Sequence, residues 1–94
     1  MARFDDHIAH YEGVQGGAAV VIGTRTPVRS IVAAHELAGG DLADILRGLP
    51  HLNETQVRAA LAYYRQHREE IDADIARHER ALAELRKASA GIAG

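Results

Sequence analysis

The sequence predicts a mainly α-helical fold with a short β-hairpin at its N-terminal end. Three observations lead to that reading. Only residues 18–22 carry a compact β-branched run, Val20-Val21-Ile22, of the kind that suits a pleated surface. From Thr26 onward the apolar residues recur at helical spacing, with capping residues at the right places. Beyond Glu54 there is no Gly or Pro until Gly91, so nothing in the sequence interrupts a helix over that stretch.

The chain has 94 residues, enough for one small domain with little core to spare. A chain this short leaves roughly 40% of its unfolded surface exposed when folded, so association with a second copy or a partner is expected to contribute. Composition is ordinary, with 47% hydrophobic and 26% charged residues, no cysteine and a net charge of −2. Disulfides, thiolate metal sites and cysteine nucleophiles are excluded. No apolar run approaches the ~20 residues of a membrane span. The first residues mix Arg3 with Asp5 and Asp6 and lead into no apolar segment, so the cytoplasm is the expected compartment.

Charge is unevenly placed. Residues 25–68 carry six arginines against four acids, whereas 1–24 and 69–94 are each net acidic by two. A central anion-facing patch between acidic ends is the pattern that results.

Residues 7–11 and 18–22 read as two strands. Gly13-Val14-Gln15-Gly16-Gly17 between them supplies turn glycines. A lone hairpin is barely stable in water, so it must lie on the helices or pair with a second copy.

For the first helix, Thr26 reads as the N-cap with Pro27 as the first helical residue. Val28, Ile31, Val32 and His35 then form one face, and Gly39 ends the helix. Asp41 caps a second, two-turn helix with Leu42, Ile45 and Leu46 inward. Gly48-Leu49-Pro50 has the form of a Schellman stop. Asn53 and Gln56 make a capping box for the third helix, with Leu52 and Val57 as a hydrophobic staple. Val57, Leu61, Tyr64, Arg68, Ile71, Ile75, His78, Leu82 and Leu85 alternate by four and three, a heptad seam. This predicts one long helix, or two with a bend near residues 67–70, and a frayed tail over 89–94.

The short second helix, the turn at Leu49-Pro50-His51-Leu52 and the capped third helix compose a helix-turn-helix. If Val57, Ala60, Leu61 and Tyr64 face inward, then Thr55, Arg58, Ala59, Ala62 and Arg65 face outward along a recognition helix. Arg58 is placed for bidentate contact to guanine, Thr55 and Gln56 for a base or phosphate, and Arg65 for a phosphate. Arg25 and Arg29 add candidate backbone contacts. The competing reading is a trihelical bundle whose arginines only keep it in solution.

Other chemistry is thinly represented. His7 and His10, three apart on a strand, point to opposite faces and lack a third ligand, and His67 with Glu70 is no better provided. Ser30 and Ser89 are the only serines, and the carboxylates at 69–74 spread around a helix as a solvated or partner-facing surface. No cofactor and no enzymatic activity are expected.

The runs Gly16-Gly17-x-x-Val20-Val21-Ile22-Gly23-Thr24-Arg25-Thr26-Pro27-Val28, Leu49-Pro50-His51-Leu52, Val57-x-Ala59-Ala60-Leu61-Ala62-Tyr63-Tyr64 and His67-Arg68-Glu69-Glu70-Ile71-Asp72 resemble the domain of unknown function 433 family over about residues 7–76. The resemblance implies a homeodomain-like helix-turn-helix, similar to VapB-type antitoxins. It also implies a gene often placed beside a PIN-like ribonuclease toxin, with the protein as antitoxin and self-repressor. Two departures stand out. Ala19 occupies a place where the family usually has proline, and Gly39-Gly40 replaces a single glycine.

The expected organisation is therefore an arm and hairpin over 1–24, a helix-turn-helix over 25–70 and a helical extension over 71–94. The expected function is a dimeric, DNA-binding antitoxin-like regulator that neutralises a PIN-like ribonuclease. The alternative is a protein-interaction module without DNA binding. Ile71, Ile75, His78, Leu82 and Leu85 are the expected homodimer or partner contacts. As a polar residue in that seam, His78 would set register or weaken a dimer as pH falls, unless it is simply exposed. Arg25, in the Gly-Thr-Arg joint, is read as holding a carboxylate of this chain or a phosphate of a nucleic acid.

Overall fold

The structure is a computed structural model that describes residues 4–93. Residues 1–3 and Gly94, and with them the N-terminal charge at Arg3, lie outside the described residues. In chain order come a 3-10 turn at Phe4–His7, strand β1 at Ile8–His10, a second 3-10 turn at Gln15–Gly17 and strand β2 at Ala19–Val21. Four helices follow: α1 at Val28–Leu37, α2 at Leu42–Gly48, α3 at Glu54–Gln66 and α4 at Arg68–Ala93.

The strands pair antiparallel, Ile8 opposite Val21 and His10 opposite Ala19. They are shorter than the runs that predict them, because the chain leaves β2 through Gly23 at φ +83°. That conformation costs a residue with Cβ but not glycine. Immediately after it the Thr24 hydroxyl donates to the Val21 carbonyl (2.9 Å) and accepts from the Thr26 N–H (3.1 Å), fixing the joint into α1. The hairpin lies on the helices. Ile8, Ala19 and Val21 share one buried cluster with Val28, Ile31, Ile45, Val57 and Ile71. A single core therefore spans the residues expected to divide at 24/25 and at 70/71.

Thr26 is not the cap of α1. Pro27 holds that position without a side-chain bond, and the Thr26 hydroxyl instead meets His51 Nε2 at 2.6 Å. This ties the β2–α1 joint to the α2–α3 turn. At the other end of α1, Gly39 and Gly40 both adopt positive φ, with the Gly40 N–H on the His35 carbonyl (3.0 Å) and the Gly39 N–H on that of Glu36 (3.3 Å). These two bonds are the full Schellman pair. The second glycine is thus part of the helix stop.

Asp41 caps α2 by accepting from the Ala43 N–H at 2.9 Å. The expected Schellman stop at Gly48 is absent. Gly48 stays helical and the chain leaves through Leu49 at φ −130°, ψ 64°. Pro50 explains this, since its ring drives the preceding residue out of the helical region. The capping box of α3 forms as read, Asn53 accepting from the Gln56 N–H (2.9 Å) and Gln56 from the Asn53 N–H (2.8 Å). Leu52 and Val57 of the staple are both buried.

The long helical stretch is two helices. His67, at φ −130° and ψ 43°, breaks it between α3 and α4. Ile71 and Asp74 of α4 are buried, and Ile75 packs on the edge of the core. From Ala76 to Ala88 every residue is exposed. The helix projects from the body, which accounts for dimensions of 55 × 29 × 23 Å. It is helical through Ala93, past the start of the tail that the sequence reads as frayed.

Candidate nucleic-acid interface

Helix α3 is held between α1, the hairpin end of the molecule and α4, and it presents one face outward. The inward face is rotated relative to the sequence reading. Ala59 and Tyr63 are buried beside Val57 and Ala60, while Leu61 and Tyr64 are only half-buried. The cause is the N-terminal segment, the Phe4–His7 turn and the β1 that follows it, which packs on α3 from a side the helical periodicity alone does not reveal. Ala59 therefore leaves the outer face, on which Thr55, Arg58 and Arg65 remain exposed.

Arg58 and Arg65 sit two turns apart and line a single cleft with His35 and Leu61, closed below by Leu42 and Ile45 of α2. His35 was assigned to the inner face of α1 by periodicity. Gly40 of the helix stop lines the same cleft. Arg58 is engaged by Glu54, with N···O distances of 2.8 and 2.7 Å. Both partners are more than half exposed (68% and 55%), and such a surface pair is weak enough for a phosphate to displace. Arg65 has no hydrogen-bonding or ionic partner for its guanidinium among the described residues, nor has Arg25. Arg68, one position into α4, lies over the Tyr64 ring at 5.3 Å from its centroid. The Tyr64 hydroxyl donates to Asp72 at 2.9 Å, and that bond, with some burial, raises its pKa.

Two expected contacts are engaged within the chain. The Gln56 side chain is committed to the capping box. Arg29 is half-buried, with Nη1 3.1 Å from Asp74 Oδ2 and Nη2 donating to Gln15 Oε1 at 3.0 Å. Asp74 was read as part of a solvated acidic surface; it is instead the internal counter-ion of Arg29, and also accepts from Arg77 at 3.2 Å. Gln15 completes the tie by donating to the Arg25 carbonyl at 3.1 Å, which stabilises its own left-handed backbone (φ 51°). Nothing at sequence level marks Gln15 for this role except its place among the turn glycines.

A second polar cluster fastens the hairpin to the α3–α4 break. Glu70 accepts from Tyr63 (2.7 Å) and from His10 Nε2 (2.8 Å), and Tyr63 stacks on His67 with centroids 4.1 Å apart. Partial burial pushes the Glu70 carboxyl up. The bonds from His10 and Tyr63, with the charges of His10 and His67, outweigh it and leave the pKa below its usual value. Among the described residues no group of three or more His, Asp or Glu side chains is arranged to hold a metal ion.

Of the expected dimer or partner contacts, Ile71 is buried in the chain's own core and Ile75 half-buried against it. His78, Leu82 and Leu85 are exposed. No helix of the described residues is long and apolar enough to cross a membrane.

The fold is thus a helix-turn-helix unit, α2 and α3, braced by α1 and an N-terminal hairpin and extended by a projecting helix. The family model described as protein of unknown function (DUF433) matches residues 8–64, and the chain belongs to that family. It is similar to the crystal structure of a DUF433 member protein from Anabaena variabilis, with 36% identity and a TM-score of 0.64. That match covers 74% of this chain and 68% of the other. No curated protein matches.

Proposed function

We propose that this protein is a DNA-binding regulator of the antitoxin type, acting in the cytoplasm as a dimer on its own promoter. One observation supports the reading above the rest. The outer face of the capped helix α3 keeps Thr55, Arg58 and Arg65 free of the core, while the other polar candidates nearby, Gln56 and Arg29, are consumed internally. In a helix-turn-helix those are the positions that meet the major groove and its flanking phosphates. Arg25 lies next to the joint that Thr26 ties to His51 at the turn, which suits it to a phosphate beside the start of the recognition helix.

The test is fluorescence anisotropy with duplex DNA from upstream of the gene, titrated over a range of salt. Binding should weaken steeply with salt. Arg58→Ala and Arg65→Ala should each lower affinity and reduce the salt slope by about one. Affinity unchanged in both variants would rule out α3 as the recognition helix.

A second reading is favoured by the exposed leucines of α4. In it the helix occupies a partner protein, for which the resemblance suggests a PIN-like ribonuclease encoded next door. Copurification with the neighbouring gene product tests that, and a complex that survives loss of the projecting helix would exclude α4 as its contact.

A further inference from the structure

The projecting part of α4 carries an apolar stripe that this chain does not cover. Leu82 and Leu85 are exposed, and the stripe continues into a groove between α1 and α4 lined by Ser30, Ala33, Glu36, Ile75 and His78. Placing Ile75 and Leu82 at heptad positions a, with His78 and Leu85 at d, puts Glu79 and Arg86 at the flanking e positions.

Those charges select an orientation. In an antiparallel pair of helices a faces d and e faces e, so a second copy sets Leu82 against Leu85 and Leu85 against Leu82. The same alignment brings Glu79 of each copy beside Arg86 of the other, two attractive pairs on either side of the leucine layers. A parallel pair places Glu79 opposite Asp74, a like charge already committed to Arg29, and places Arg86 opposite Ala81. Only the antiparallel arrangement uses the charges favourably.

We infer that the chain forms a homodimer through the projecting part of α4, paired antiparallel across Leu82 and Leu85 with reciprocal Glu79–Arg86 contacts. The two-fold axis crosses the helices between Ala83 and Glu84. The last turn of each α4 then reaches toward the groove beside Ile75 and His78 of the other copy. The two bodies lie at opposite ends of the helical pair, with both recognition helices outside it. This geometry stands independently of DNA binding and is tested without DNA.

Sedimentation velocity on the full chain, from micromolar to millimolar concentration, should show a dimer. Leu85→Asp should shift it to monomer while leaving the circular dichroism spectrum unchanged, because this side chain is 64% exposed on the projecting helix. Glu79→Arg and Arg86→Glu should each weaken association by roughly tenfold, and the double reversal should restore it. Since the chain has no cysteine, orientation can be read by oxidation. A mixture of Leu82→Cys and Leu85→Cys chains should form the mixed disulfide in preference to either homodisulfide. A chain that stays monomeric throughout would overturn the inference and leave the stripe to a different protein. A dimer indifferent to Leu85→Asp, or one dominated by the Leu82→Cys homodisulfide, would overturn it equally.

Discussion

Arg29 shows how one side chain can leave the surface and join the framework. Its guanidinium spans α1, the hairpin turn and α4 through Gln15 and Asp74, with both charges almost shielded from water (12% and 11% exposed). Breaking such a pair from one side leaves an uncompensated charge, at a cost of about 3 kcal/mol. Arg29→Ala should therefore lower the unfolding free energy measured in urea by that amount, and adding Asp74→Leu should recover most of the loss. An Arg29→Ala protein as stable as wild type would mean that Asp74 is satisfied elsewhere. The sequence could not reveal this pair, because the partners are separated by the whole helix-turn-helix and each looks like an ordinary surface charge. Glu70 makes a related point with pH. Its folded carboxyl titrates below the ordinary value of 4.5 because His10 and Tyr63 bond to the charged form. The unfolded chain takes up that proton first. The contribution is therefore complete above the ordinary carboxylate range and is lost as pH falls through the depressed value. Stability measured against pH should decline over that acid window, and Glu70→Gln should flatten the decline.

At the scale of elements, what was legible was what neighbouring residues decide between themselves. The capping box at Asn53 and Gln56, the cap at Asp41 and the helical reading of residues 28–37, 42–48 and 54–66 all follow from interactions within four residues. Asn53→Ala should cost about 1 kcal/mol in chemical denaturation with an unchanged denaturant slope. A larger loss would show that the turn itself collapses. What was not legible depends on distant parts of the chain. The seat of the Phe4–His7 turn and β1 on α3 turned Ala59 and Tyr63 inward, and His51 drew Thr26 away from the cap of α1. The break at His67 was one of two readings of this stretch, and with no Gly or Pro to decide it the choice rests on the Tyr63–His67 stack and the Glu70 cluster. The candidate interface divides the same way: the exposure of Thr55, Arg58 and Arg65 follows from the α3 pattern, but the internal use of Arg29 needs the tertiary fold.

The whole molecule is a small body with a lever. Its core ends at Ile75, and every residue from Ala76 to Ala88 is exposed, Leu82 alone among the large apolar ones lying at the edge of the α1–α4 groove. A chain ending after His78 keeps Ile71, Asp74, Arg77 and all other core contacts, so it should unfold cooperatively with nearly the stability of the monomeric full chain. It should also fail to dimerise. The consequence for DNA follows from linkage of two sites. When two recognition helices are joined, the second engages at high effective concentration and the phosphate contacts of both copies count in one binding event. The truncated chain should therefore bind duplex DNA more weakly, with a slope of log affinity on log salt about half that of the full chain. The two-fold axis further requires that the full chain prefer an inverted repeat, since each half-site meets an identical α3. Equal salt slopes for the two chains on an inverted repeat would show that each copy binds alone and that the projecting helix serves another purpose.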